Sequence, residues 1–88
     1  MNKRQIFHYI NNKVVIYLGM SLNLGKNYIF QKNYRDAEKI FLDLYKKNDN
    51  FDINYNLGVI NFELKNNKES LKYFEKCKKI DPKSINTY

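Results

Sequence analysis

NLGVINFELKNNKESLKYFEKCKKIDP, residues 56–82, is the stretch on which the fold turns. Leu57, Ile60 and Leu64 recur at helical spacing, Asn66 and Asn67 interrupt them, and Ser70, Leu71, Phe74 and Cys77 form a second stripe. Two amphipathic helices joined by a short turn satisfy that pattern. A residue before proline is disfavoured in the helical region, so Asp81 and Pro82 end the second helix. Gly58, Ser70 and Cys77 sit on faces that otherwise carry bulk. Glycine inside a helix costs roughly 1 kcal/mol against alanine, so its presence there asks for a packing gain. Placing Gly58 opposite Ser70 supplies one. Small side chains let two helix axes approach to the short end of the usual range of about 8–10 Å.

The same pattern occurs upstream. Residues 23–49 align with residues 56–82 without a gap, every pair being 33 positions apart. Asn23, Leu24 and Gly25 fall on Asn56, Leu57 and Gly58; Ala37 falls on Ser70, Phe41 on Phe74 and Leu44 on Cys77. Leu24, Tyr28 and Gln31 make the first stripe of this copy, Lys32 and Asn33 break it, and Tyr34, Ala37, Phe41, Leu44 and Tyr45 make the second. Gly25 and Ala37 then form a second crossing pair. Phe41 and Phe74 are expected beside the crossings, and Leu44 and Cys77 are expected to face the next helix pair. A shared offset over so many positions marks two copies of one unit.

Further out, Gln5, Ile6, Phe7 and Ile10 echo Lys39, Ile40, Phe41 and Leu44 at an offset of 34. Residues 1–17 therefore read as an N-terminal helix, either a degenerate half-repeat or a cap. Residues 84–88 read as the start of a third unit or a tail. The expected architecture is an all-α solenoid of antiparallel helix pairs, with units at 18–50 and 51–83. Arrays of this kind gain from about three units and polar caps, so the final helix is expected to self-associate or to continue into a longer array.

At 88 residues, 43% hydrophobic and 28% charged, with one proline and three glycines, the composition is that of a single globular helical domain. The net charge of +7 invites an anionic partner. Only Arg4 and Arg35 among the 16 basic residues are arginine, the better phosphate fork, and that weakens a nucleic-acid reading. Residues 1–35 nevertheless hold six basic residues and no acid. Cys77 is the single cysteine, so no intramolecular disulfide forms, and a reducing, cytoplasmic compartment is expected. The longest unbroken apolar run, residues 14–20, is too short to span a membrane, and no targeting segment is read.

Catalytic chemistry finds no foothold. His8 is the only histidine, so neither a metal cluster nor a nucleophile with its base and orienter can be assembled. No glycine-rich phosphate loop occurs. Neither an enzymatic role nor a cofactor is expected. Lys68, Lys72, Lys76, Lys79 and Lys83 form a stripe expected to be a solvated outer face.

Leu57, Gly58, Ser70, Phe74, Cys77 and Pro82, together with Leu24, Gly25, Tyr28, Tyr34, Ala37 and Phe41, resemble the tetratricopeptide repeat over residues 18–82. The chain departs from that pattern at Ser21 and Asn54, where the family has tryptophan, and at Asn61, where it has an aromatic. The first unit also lacks the closing proline. The resemblance implies that the first helix of each pair lines a concave face that binds peptides or partner helices. The residues it places there are Asn23, Lys26 and Phe30 from the first unit and Tyr55, Asn56, Val59, Phe62 and Glu63 from the second. Asn23 and Asn56 occupy places where the family often holds a ligand's main chain. A clamp for C-terminal carboxylates is poorly matched, because Leu22 and Lys26 stand where the family has lysine and asparagine. Tyr55, Val59 and Phe62 suit an apolar or amphipathic segment instead. The alternatives are an RNA-binding helical repeat using the basic, aromatic N-terminal third, and a self-associating structural array.

Overall fold

The computed structural model describes residues 2–83, and the start of a third unit expected at 84–88 lies outside them. Four helices follow one another: α1 (Lys3–Phe30), α2 (Tyr34–Lys47), α3 (Phe51–Glu63) and α4 (Asn67–Ile80). The chain is all-α, and its helices pair as two antiparallel hairpins, α1 with α2 and α3 with α4, stacked through α2 and α3.

Both hairpins turn in the same way. Lys32 and Lys65, 33 positions apart, hold left-handed φ angles of 62° and 67°. Asn33 donates its N–H to Tyr28 O at 2.8 Å and Lys32 donates to Ile29 O at 2.9 Å. In the second hairpin Asn66 donates to Asn61 O at 2.8 Å and Lys65 to Phe62 O at 3.1 Å. This is the two-bond helix stop that usually employs glycine at the left-handed position. The reversal falls where the paired polar residues interrupted each hydrophobic stripe.

The connection between hairpins is extended at its first residue. Asn48 (φ −157°, ψ 103°) and Asp81 (φ −143°, ψ 90°) leave their helices alike. Pro82 enforces this at the second site. At the first, side chains do it. Asp49 accepts from Lys76 Nζ at 2.6 Å and from Asn54 Nδ2 at 2.6 Å. Asn50 then caps α3 by accepting from Ile53 N–H at 3.0 Å.

The core lies between the hairpins. Ala37, Phe41 and Leu44 of α2 close on Ile53, Leu57 and Ile60 of α3, all nearly inaccessible. Burying an aliphatic or aromatic side chain of this size contributes roughly 1.5–3 kcal/mol. The glycine contacts are direct. The edge of Phe41 covers Gly25 and that of Phe74 covers Gly58, so the rings sit on the glycines rather than beside the crossing. Ser70 donates its hydroxyl to Gly58 O at 2.7 Å, which fixes the crossing in the second hairpin.

Several expectations are corrected by neighbours that the sequence pattern does not show. Leu24, the counterpart of buried Leu57, is 44% exposed, because α2 covers Leu57 and no helix precedes α1 among the described residues. Leu71 and Gln31 are exposed too. Cys77 does not face outward. It is fully buried within its own hairpin, its thiol directed at Phe51 O at 3.5 Å, and burial pushes that thiol's pKa up. Leu44, by contrast, does face the next pair, enclosed against α3. The outer face of α4 is left with half-buried Phe74 and exposed Leu71 and Ile80. Finally, α1 is one continuous helix of 28 residues. It passes through residues 17 and 18 without a turn, so a separate helix over 1–17 does not form. The second helix of a decayed unit would run antiparallel to the helix after it, and this segment does not. A capping box opens α1: Asn2 Oδ1 accepts from Gln5 N–H at 2.8 Å, and Gln5 Oε1 accepts from Asn2 N–H at 3.0 Å.

Candidate concave binding face

Stacking the hairpins brings α1 and α3 side by side. Lys26 of α1 reaches Asp52 of α3 at 3.1 Å, and Leu18, Gly19 and Leu22 approach Ile53 across a small cleft. Both members of the ion pair are nearly half exposed, so the pair adds little stability and acts mainly as a tie across the face.

On α3, Asp52, Tyr55, Asn56, Val59, Phe62 and Glu63 follow each other at steps of three and one, which confines them to one side of the helix. Asn23, Lys26 and Phe30 likewise share one side of α1. The 33-residue offset sets Asn23 level with Asn56 and Phe30 level with Glu63. Tyr55, Asn56 and Val59 are half-buried, and Asn23, Lys26 and Glu63 are exposed. The two phenylalanines are well exposed, Phe30 at 90% and Phe62 at 59%.

The polar groups are partly committed. Asn56 Nδ2 donates to Asp52 O at 2.7 Å and to Asp52 Oδ1 at 2.8 Å. Asp52, which the sequence pattern did not single out, therefore anchors both Lys26 and Asn56. Its signal was its place four residues before Asn56 on the same helix face. Tyr55 stacks on Phe51 (centroids 6.1 Å, interplanar angle 11°) and meets Phe74 edge-on at 5.8 Å. That file of rings closes the face on the α4 side. Among the described residues no group of three His, Cys, Asp or Glu side chains could hold a metal ion. The same residues include no helix long and apolar enough to cross a membrane.

Beneath the face, a polar joint binds the two hairpins. Lys76, expected to be solvated, instead bonds Asp49 and the Tyr45 hydroxyl and lies 4.4 Å above the Tyr45 ring. Tyr45 meets Tyr73 edge-on at 5.9 Å. The Lys76 hydrogen bond, helped by Asn54, holds the Asp49 carboxyl below the usual carboxylate range. The Asp49 and Tyr45 bonds hold Lys76 above the usual lysine range.

Stacked helix pairs with their first helices side by side define a helical-repeat scaffold. Residues 51–84 match the family model for the tetratricopeptide repeat, which supports a repeat protein of that type. That match takes in the second hairpin. The first repeats its turn, its glycine–phenylalanine contact and its spacing. No curated protein and no solved structure gave a match. Tetratricopeptide repeats are in general protein–protein interaction modules.

Proposed function

We infer that this chain is a protein-interaction module that holds an apolar or amphipathic segment of a partner along α1 and α3. The observation that carries this reading is the outward projection of Phe30 and Phe62 on that face, which they share with half-buried Tyr55 and Val59. Large apolar side chains held out on a framework of packed helices are the usual anchors of such contacts. Lys26, Asp52 and Glu63 give the rim both signs of charge, which suits a partner segment of mixed polarity. Asn23 is the better candidate for gripping a ligand main chain, since the Asn56 amide is already engaged.

The test is capture from lysate of the source cells on the immobilised chain, with and without RNase, using the wild type, Phe62→Ala and Val59→Asp. A defined protein set that survives RNase and falls about tenfold with either variant supports the reading; that loss corresponds to about 1.4 kcal/mol. A set unmoved by both variants overturns it. Recovery of RNA that RNase abolishes and salt steeply weakens overturns it in favour of nucleic-acid binding through the basic N-terminal third.

A further inference from the structure

α2 stops at Lys47, and α1 does not stop with it. Lys47 Nζ lies 3.2 Å from the Tyr17 hydroxyl and 4.5 Å above the Tyr17 ring, which marks where α2 ends along α1. Beyond that point α1 extends a further about 20 Å at the ordinary helical rise. The seam that α2 occupies runs along Leu18, Leu22, Gly25 and Ile29 of α1, all buried or half-buried. Toward the N-terminus, at steps of four and three, the same stripe continues through Val14, Ile10 and Phe7. These three are 49%, 54% and 63% exposed. An open groove lined by Tyr9, Ile10, Val14 and Leu18, with Lys13 and Lys47 at its rim, follows the stripe.

We propose that this continuation of the α1–α2 seam is a second docking surface, and that its occupant is an amphipathic helix with acidic flanks from a partner protein. The periodicity argues for a helix, because the side chains repeat as they do where α2 is seated. The charge argues for acid. The overhanging part of α1 carries Lys3, Arg4 and Lys13 and no Asp or Glu. The nearby carboxylate of Asp43 is already bonded to Lys47 at 3.0 Å. A second copy would bring the same cations against themselves. A lipid surface asks for one apolar and one polar side. Here Val15 and Ile16, 68% and 60% exposed, lie off the seam, so the apolar surface is not confined to one side.

The test pans the full chain against a displayed library of helical peptides. An apolar stripe is fixed at i, i+3 and i+7, and the flanking positions are open to Glu, Gln and Lys. Enrichment of Glu, with the selected pool binding at least tenfold more weakly to Ile10→Glu but normally to Phe62→Ala, supports the surface and separates it from the concave face. Ile10 projects beyond the core, so circular dichroism should be unchanged in that variant. Should it not be, the double variant Lys3→Glu, Lys13→Glu gives an independent readout by shifting selection towards Lys flanks. Four outcomes overturn the proposal: no preference among the flanks, a pool indifferent to Ile10→Glu, a dimer in sedimentation that Ile10→Glu dissolves, or phosphatidylserine vesicles that bind the chain and displace the pool.

Discussion

A methyl group added at Gly25 would lie 2.6 Å from Phe41 Cε2, and one at Gly58 would lie 2.7 Å from Phe74 Cε1. The two distances are alike, but the rings are not equally free. Phe41 is fully enclosed, with Ile40 also crowding Gly25, whereas Phe74 is only half-buried and can swing outward. Alanine gains about 1 kcal/mol of helix propensity at either site, and overpacking an enclosed ring costs about 1–3 kcal/mol. Gly25→Ala should therefore lower the urea midpoint, and Gly58→Ala should leave it nearly unchanged. Gly19→Ala, with nothing within 4 Å, should raise it. A Gly25→Ala midpoint at or above wild type would mean that the Phe41 ring yields freely. The spacing of these glycines made the close approach legible in the sequence. It did not show that an aromatic edge fills the gap, because ring placement depends on the rotamer that the neighbouring helix permits.

At the scale of the element, the two hairpin turns set left-handed lysines where glycine is the usual choice. A side chain in that conformation costs roughly 1–2 kcal/mol, and glycine returns about 0.4–1 kcal/mol of this through a more flexible unfolded chain. Lys32→Gly and Lys65→Gly should each stabilise the fold by up to about 1 kcal/mol, and together nearly additively, since the sites are far apart. Thermal melts of the three variants decide it. Lower melting temperatures would show that the lysine stems contribute contacts worth more than the strain. Helix ends were largely readable, because the polar pairs that break each stripe are where the chain reverses. The length of α1 was not. Asn11, Asn12 and Lys13 interrupt the apolar run, yet all three are exposed, and polar residues on a helix surface do not end it. The face formed by α1 and α3 was legible as to which residues share a side, since that follows from period alone. The Asp52–Asn56 bonds were not, because they depend on side-chain rotamers.

Across the whole molecule, burial is uneven. α3 holds Ile53, Asn54, Leu57, Gly58, Ile60 and Asn61 out of solvent, whereas α1, twice as long, buries only Gly25. The reason is position. α3 is packed by α2 on one side and α4 on the other, and α1 has α2 along only part of its length. Even the polar members of the α3 set are tied inward. Asn54 donates to Asn50 O at 2.7 Å and Asn61 to Leu57 O at 2.8 Å, so their amide groups reinforce the helix that surrounds them.

The long unaccompanied stretch of α1 thereby gives the molecule a direction in time as well as in space. Local opening requires least where fewest apolar contacts must be broken, so the chain should fray from the N-terminal half of α1 inward. Native-state hydrogen exchange would show amides of residues 6–14 exchanging first and those of residues 57–61 last, near the rate set by global unfolding. Uniform protection along the chain would contradict this, and would mean that α1 and α3 open as one cooperative unit. On the expected pattern, a helix that settled on the overhang would slow exchange there most, registering the encounter as a change in the order in which the protein comes apart.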